Sequence, residues 1–198
     1  MEPQQFLVAI VGPSGVGKST VIREVVRAGQ GTYVHVRAYT TRPSREEEID
    51  RIHMPLEEFA EKARKKKILL PNMVYGHHYG PSREHIDSIA SEGYVPIMDW
   101  PVRKLADLRK ELAPLEVMAI YLLPDSLESL RLHLEQDEKN NHEQRYQAAV
   151  QELEEIRTGR YMDVVNTVVV NNRPIEEMGR ILHTIIQYHH AGRDHAHR

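Results

Sequence analysis

The sequence predicts an α/β fold, a three-layer sandwich in which a mostly parallel sheet lies between helices. Three observations predict it. Short apolar runs alternate with amphipathic stretches along the whole chain. The first run leads into Gly12-Pro13-Ser14-Gly15-Val16-Gly17-Lys18-Ser19, which fits G-x-x-x-x-G-K-[ST] at every required position. The 198 residues are 40% hydrophobic, enough for one domain with a substantial core.

Residues 6–11 (Phe-Leu-Val-Ala-Ile-Val) read as a buried strand entering the glycine-rich loop. Residues 20–28, with Val21, Ile22, Val25 and Val26, read as a helix leaving it. Strand, loop and helix make a phosphate-binding P-loop and predict the P-loop NTPase sandwich with a parallel core sheet. Gly29-Gln30-Gly31 ends this unit, and 33–36 is a strand. The polar stretch 40–51 reads as a loop. Residues 56–67 read as a helix whose basic end, Arg64-Lys65-Lys66-Lys67, is a solvated helix terminus. Residues 68–70, 73–75 and 78–80 look like short strands joined by turns. Ser82 caps a helix that Gly93 stops. Residues 94–99 form an apolar run ending in Asp99. Residues 101–112 are a helix and 117–122 a buried strand. Asp125 or Ser126 caps a helix to about residue 135. The polar segment 136–144 reads as a hinge or lid tip, and 145–157 resumes helix. Residues 167–170 are a strand and 174–190 a terminal helix.

The net charge of −3 argues against generic nucleic-acid binding. Absence of cysteine excludes a disulfide framework and any thiolate nucleophile or metal site. No apolar run approaches the roughly 20 residues of a membrane helix. Met1-Glu2-Pro3-Gln4-Gln5 lacks the basic and apolar regions of a signal peptide. The expectation is a cytoplasmic enzyme, monomer or homodimer, binding neither membrane nor nucleic acid. The histidine-rich stretch 191–198 reads as a disordered tail rather than a metal site.

The P-loop dictates the first ligand. Backbone N–H groups and the positive end of a helix dipole converge on a polyphosphate. Gly12, Ser14, Gly15, Val16, Gly17, Lys18, Ser19 and Thr20 form the expected nucleotide site, with Lys18 reaching the β- and γ-phosphates. The Ser19 hydroxyl is expected on Mg²⁺, so ATP and Mg²⁺ are the expected cofactors. About twenty residues beyond the P-loop helix lies Thr40-Thr41-Arg42-Pro43-Ser44-Arg45. Two arginines three apart can fork around a second anionic phosphate.

With these motifs the chain resembles the guanylate kinase family over nearly its whole length. GPSGVGKST matches that family's P-loop. TTRPSR followed by Glu48 resembles its TTR-x-x-R…E segment, whose arginines grip the acceptor phosphate. Tyr79-Gly80 resembles its Tyr-Gly turn, where the tyrosine also touches that phosphate. Ile97-Met98-Asp99 resembles the strand bearing its Walker-B-type aspartate. Arg145 with Ala148-Ala149 resembles the helix returning from its lid. Asp163 and Asn171 fall on its D-x-V-x-x-N segment near the adenine. The resemblance implies Lys18, Arg42, Arg45 and Arg145 as catalytic residues. It implies Arg42, Arg45, Tyr79 and Glu48 as acceptor-binding residues, Ser19 and Asp99 at the metal, and Asn171 at the nucleotide. Tyr39 either lines the acceptor pocket or packs.

The departures fall on one ligand. Ala38 stands where the family has a serine that reads guanine, and Leu70 where it has a glutamate. Pro81 replaces a serine or threonine, and Pro101 an aspartate. Arg51, Ile52 or His53 occupies the region of a second phosphate-gripping tyrosine. Two lid arginines fall on His133 and Asp137, leaving Arg131, Arg145, Arg157 and Arg160 as candidates. Buried hydrogen-bonding groups are what let a site discriminate a base. Ala, Leu and Pro supply none, which argues against efficient, specific GMP binding. His77 and His78 read equally as acceptor contacts or solvent-facing residues, and Trp100 as core or rim packing.

The resemblance implies one domain over 1–190, with a core at about 1–35, 94–125 and 160–190. An acceptor-binding lobe takes about 36–93 and a helical lid about 126–159. The expected activity is transfer of the ATP γ-phosphoryl group to a small phosphorylated acceptor, such as a nucleoside monophosphate or sugar phosphate. An authentic but divergent GMP kinase is the alternative, and a catalytically weak interaction module the second. Retention of both Lys18 and Ser19 speaks against the module.

Overall fold

The structure, a computed structural model, describes residues 6–44, 51–74, 76–137 and 141–196. Its centre is a five-stranded sheet of β1 (Phe6–Val11), β2 (Tyr33–His35), β7 (Val95–Asp99), β8 (Glu116–Pro124) and β9 (Thr167–Asn171). Their order is β2-β7-β1-β8-β9, and every pairing is parallel. The middle strand β1 is a continuous apolar run because parallel sheets are covered on both faces. Its alternate residues feed two cores. Leu7, Ala9 and Val11 pack with Ile86 and Ile89 of α3 (Arg83–Ser91) and Leu105 and Leu108 of α4 (Leu105–Leu112). Val8 and Ile10 pack with Val21 and Ile22 of α1 (Lys18–Ala28) and Leu182 and Ile186 of α7 (Ile175–Ala196). Helix, sheet and helix are therefore the three layers expected.

Between β2 and α3 the chain builds a second sheet. Strands β3 (Ala38–Thr40), β4 (Arg51–His53), β5 (Asn72–Val74) and β6 (His77–Pro81) order as β4-β3-β6-β5. Helix α2 (Leu56–Arg64) supplies Phe59 to a small core with Tyr39, Met54 and Ile68. Helix α3, which follows this sheet, packs on the main sheet through Ile86 and Ile89. The remaining helices are α5 (Leu127–Gln136) and α6 (His142–Arg157). Among the described residues, no helix is long and apolar enough to cross a membrane.

Several expectations shift. The stretch 40–51, read as a loop, gives its ends to β3 and β4; residues 45–50 lie outside the described residues. Helix α2 stops at Arg64 because Lys66 turns the chain at φ 56. Residues 68–70 are not a strand: Ile68 makes one bridge to Ser82, and Leu70 sits at φ 42. The segment after Pro101 starts as a 3-10 turn, Val102–Lys104, before α4. Helix α6 begins three residues before Arg145. Helix α7 continues to Ala196, through most of the stretch read as a disordered tail. The caps fall as expected: Ser82 accepts from the His85 amide, and Ser126 forms a capping box with Ser129.

Candidate active site

The P-loop joins β1 to α1 at the carboxyl edge of the sheet, where ligands bind in open parallel α/β folds. Gly12, Gly15 and Gly17 hold φ values of 142°, 84° and 93°. A Cβ on Gly12 would lie 2.6 Å from the Leu122 carbonyl oxygen. Helix α1 has Gly17 as its N-cap and no side chain capping it, so its first amides face the loop. Lys18 Nζ folds over the loop and donates to the carbonyls of Gly12 at 2.7 Å and Pro13 at 2.9 Å. Ser19 and Thr20 are exposed and Val16 is buried. Asn171, at the end of β9, donates from Nδ2 to the Val16 carbonyl at 2.8 Å. It braces the loop's backbone.

Arg145 is 1% exposed. Its Nε and Nη2 donate to Ser14 Oγ at 3.1 and 3.0 Å, and Nη2 donates to Asp137 Oδ2 at 2.7 Å. Its Nη1 is buried with no hydrogen-bond partner among the described residues. The other lid candidates lie outward: Arg131 on Glu135 and Glu143, Arg157 on Glu154, Arg160 on Glu155. Sequence reasoning placed Asp137 where the family has an arginine; its role as Arg145's partner had no signal in the spacing.

Asp99 ends β7 beside Ile10, one residue from the end of β1. Burial alone would raise its pKa, but Arg51, then Lys18 and His35, outweigh burial and hold it below the usual value. Arg51 Nη2 donates to Asp99 Oδ1 at 3.3 Å. An ionised carboxylate and the Ser19 hydroxyl are the hard oxygen donors that magnesium takes, so this pair fits that ion.

The second sheet's register sorts the acceptor-side residues. Ala38 pairs with Arg51 and Pro81, Thr40 with His53 and Tyr79, and Asn72 with Tyr79. Paired residues share a face. That face turns toward the main sheet, since Arg51 reaches Asp99 and Lys104 donates to Asn72 Oδ1 at 2.7 Å. Tyr79 is half-buried on it. Tyr39 is on the other face, 7% exposed in the small core, with Lys62 Nζ 5.3 Å from its ring centroid. It packs; the register does not bring it to Tyr79. Arg42 lies just past β3, where its carbonyl accepts from His53 Nδ1 at 2.7 Å and its Nη1 donates to the Pro43 carbonyl at 3.3 Å. Arg45 and Glu48 lie outside the described residues.

Trp100 is core, 5% exposed, with Nε1 donating to the Lys104 carbonyl at 3.0 Å. His77 shares the Tyr79 face, while His78 lies against Phe59 on the other. Glu152, unremarked in the sequence, accepts from the Tyr121 hydroxyl at 3.1 Å, and burial pushes its pKa up against the pull of Lys18.

A sequence profile of the guanylate kinase family matches residues 4–189. The chain belongs to the guanylate kinase family. It is 30% identical over 182 residues to the guanylate kinase of Neisseria gonorrhoeae, covering 89% of this chain and 84% of that protein. It is 34% identical over 130 residues to guanylate kinase 1 of Oryza sativa, covering 64% of this chain but 34% of the rice protein. Against the Symbiobacterium thermophilum guanylate kinase it is 31% identical, covering 66% of this chain and 62% of that protein. The chain thus spans between 34% and 84% of the length of these relatives. The crystal structure of guanylate kinase from Anaplasma phagocytophilum superposes with a TM-score of 0.72 at 20% identity, over 96% of this chain and 88% of that one. This last likeness is one of fold. As a guanylate kinase family member the chain is a P-loop phosphotransferase.

Proposed function

We propose that this chain moves the γ-phosphoryl group of ATP, with Mg²⁺, to a nucleoside monophosphate in the cytoplasm, with GMP as the acceptor and GDP as the product. The relatives' names support GMP. The observation that carries the transferase reading is convergence on the P-loop edge: Arg145 arrives from α6 at Ser14, and Arg51 arrives from the second sheet at Asp99.

In this reading Lys18 leaves its loop carbonyls for the donor phosphates, which the amides of residues 14–20 also bind. Asn171 keeps the loop in shape. Ser19 and Asp99 would hold Mg²⁺, which supplies charge neutralisation at the phosphates. Arg42, Arg45 and Tyr79 hold the acceptor phosphate. Arg145 stabilises charge on the transferred group. Positioning and neutralisation suffice, so no covalent intermediate is required.

One observation favours a second reading, an acceptor with a different base or none. Ala38 and Pro81 are cross-strand neighbours, and the amide of Leu69, next to Leu70, donates to the Pro81 carbonyl. Two positions that read guanine by resemblance thus sit side by side with no side-chain donor or acceptor. ATP consumption with product mass, against GMP, dGMP, other nucleoside monophosphates and phosphosugars, decides between them, with Lys18→Ala as control. Dominant GMP turnover supports the first reading; a preferred acceptor without guanine supports the second.

A further inference from the structure

Arg51 lies on the face of the second sheet that carries Tyr79, yet its guanidinium reaches the main sheet and meets Asp99. The two side chains are 19% and 32% exposed, so the pair is neither a solvated surface contact nor sealed in the core. Lys18 and His35 add positive charge around the same carboxylate. The β3–β4 register places Arg51 beside Ala38, two residues from His53, whose Nδ1 donates to the Arg42 carbonyl. One cation therefore stands between the carboxylate fitted for the metal and the strand leading to the acceptor arginine.

We propose that Arg51 is a counter-ion switch: it neutralises Asp99 in the empty site, yields Asp99 to the divalent cation that accompanies the nucleotide, and then holds the acceptor's phosphate. The proposal rests on the phosphotransferase reading above and adds an order to it.

The physical case has three parts. A divalent cation attracts a carboxylate about twice as strongly as a guanidinium at equal distance, so the exchange runs toward the metal. Once released from Asp99, the planar fork of the guanidinium matches a phosphate. Energetic coupling between two sites is reciprocal, so donor loading tightens the acceptor and acceptor binding tightens the donor. Tyr79, on the same face, marks where that phosphate would sit.

Two binding measurements on the full chain test this, neither of them an activity. In the first, a non-hydrolysable ATP analogue is titrated at increasing Mg²⁺. Arg51→Gln removes the competitor, and the half-saturating Mg²⁺ is expected to fall about fivefold. An unchanged or higher value overturns the exchange. In the second, GMP and ribose 5-phosphate are titrated with and without the Mg²⁺-loaded analogue. The wild-type chain is expected to bind the acceptor about tenfold tighter when loaded, and Arg51→Gln less than about twofold tighter. The same tightening in both overturns the proposal. Arg51→Lys, which keeps the charge, is expected to keep part of the coupling, separating loss of charge from loss of fold. If ribose 5-phosphate tightens in an Arg51-dependent way and GMP does not bind, the switch stands and the GMP reading falls.

Discussion

Arg145 donates twice to the Ser14 hydroxyl, at 3.1 and 3.0 Å, so α6 is fastened to the P-loop by its own side chain. The same guanidinium is shared with Asp137 at 2.7 Å. The arginine assigned to the transferred phosphate is therefore pre-positioned and held on an internal anion.

That sharing makes opposite predictions for Arg145 and for Asp137. Arg145→Lys keeps a charge but loses the fork, and kcat is expected to fall about 100-fold while nucleotide affinity changes less than about threefold. Asp137→Asn removes the competing carboxylate, and the non-hydrolysable ATP analogue is expected to bind about three- to tenfold tighter. Steady-state kinetics and calorimetry read the two. Weaker analogue binding by Asp137→Asn would mean that Asp137 orients Arg145 rather than competing for it.

Gly12→Ala tests the loop's shape. The position has φ 142°, and the new Cβ would lie 2.6 Å from a β8 carbonyl that cannot rotate away. A loss of about 2–4 kcal/mol in urea unfolding is expected, with nucleotide binding lost alongside. Lys18→Ala is the contrast. Its ammonium donates to the loop carbonyls of Gly12 and Pro13, which water can replace once the side chain is gone, so stability should change by less than about 1 kcal/mol while turnover falls at least about 100-fold.

What was legible in the sequence follows from how local each signal is. The P-loop, β1, α1 and the Ser82 cap are written in contiguous residues, and they stand in the structure where the sequence put them. Ala38–Thr40 and Arg51–His53 were missed because three residues are too few for any period to register, and their pairing joins distant segments. The sequence does not decide between pocket and packing for Tyr39, because only the β3–β6 register says which face it takes. Arg51 with Asp99 and Arg145 with Asp137 are contacts between elements, so no spacing could reveal them. The Asp99 assignment itself came through the family resemblance.

Folding stability should carry a mark of His85. Its Nδ1 accepts from the Arg37 amide at 3.0 Å, which only the neutral ring can do. Burial first, then the charges of Arg37 and His35 against the opposing pull of Glu92, hold its pKa below 6.5. The folded value is depressed, so the unfolded chain takes up the proton first. The contribution is present above about pH 6.5 and is lost as pH falls toward the folded value. Denaturant midpoints from pH 7.5 to 5 should therefore decline, and His85→Gln should flatten part of that decline. An identical decline in the variant would assign it to other groups; His189, also depressed by burial, is the next to replace.

The acceptor wall can be rebuilt. Ala38 is 6% exposed and faces Pro81 across the β3–β6 pair, so neither offers a base a side-chain hydrogen bond. By family resemblance, serine belongs at the first position and serine or threonine at the second. The double variant Ala38→Ser, Pro81→Ser places two hydroxyls on adjacent strands of the face that carries Arg51. Each costs about 1 kcal/mol of stability if it finds no partner, because a buried hydroxyl loses its water. If that wall meets the base, the hydroxyls recover the cost only with a base bearing matching groups, and the ratio of kcat/KM for GMP over AMP should rise about tenfold. Since Arg42, Tyr79 and Arg51 are untouched, affinity for ribose 5-phosphate should stay the same, which separates base reading from phosphate grip. A ratio that does not move, with the stability cost still paid, would put the base elsewhere along the second sheet and leave the phosphate-binding argument intact.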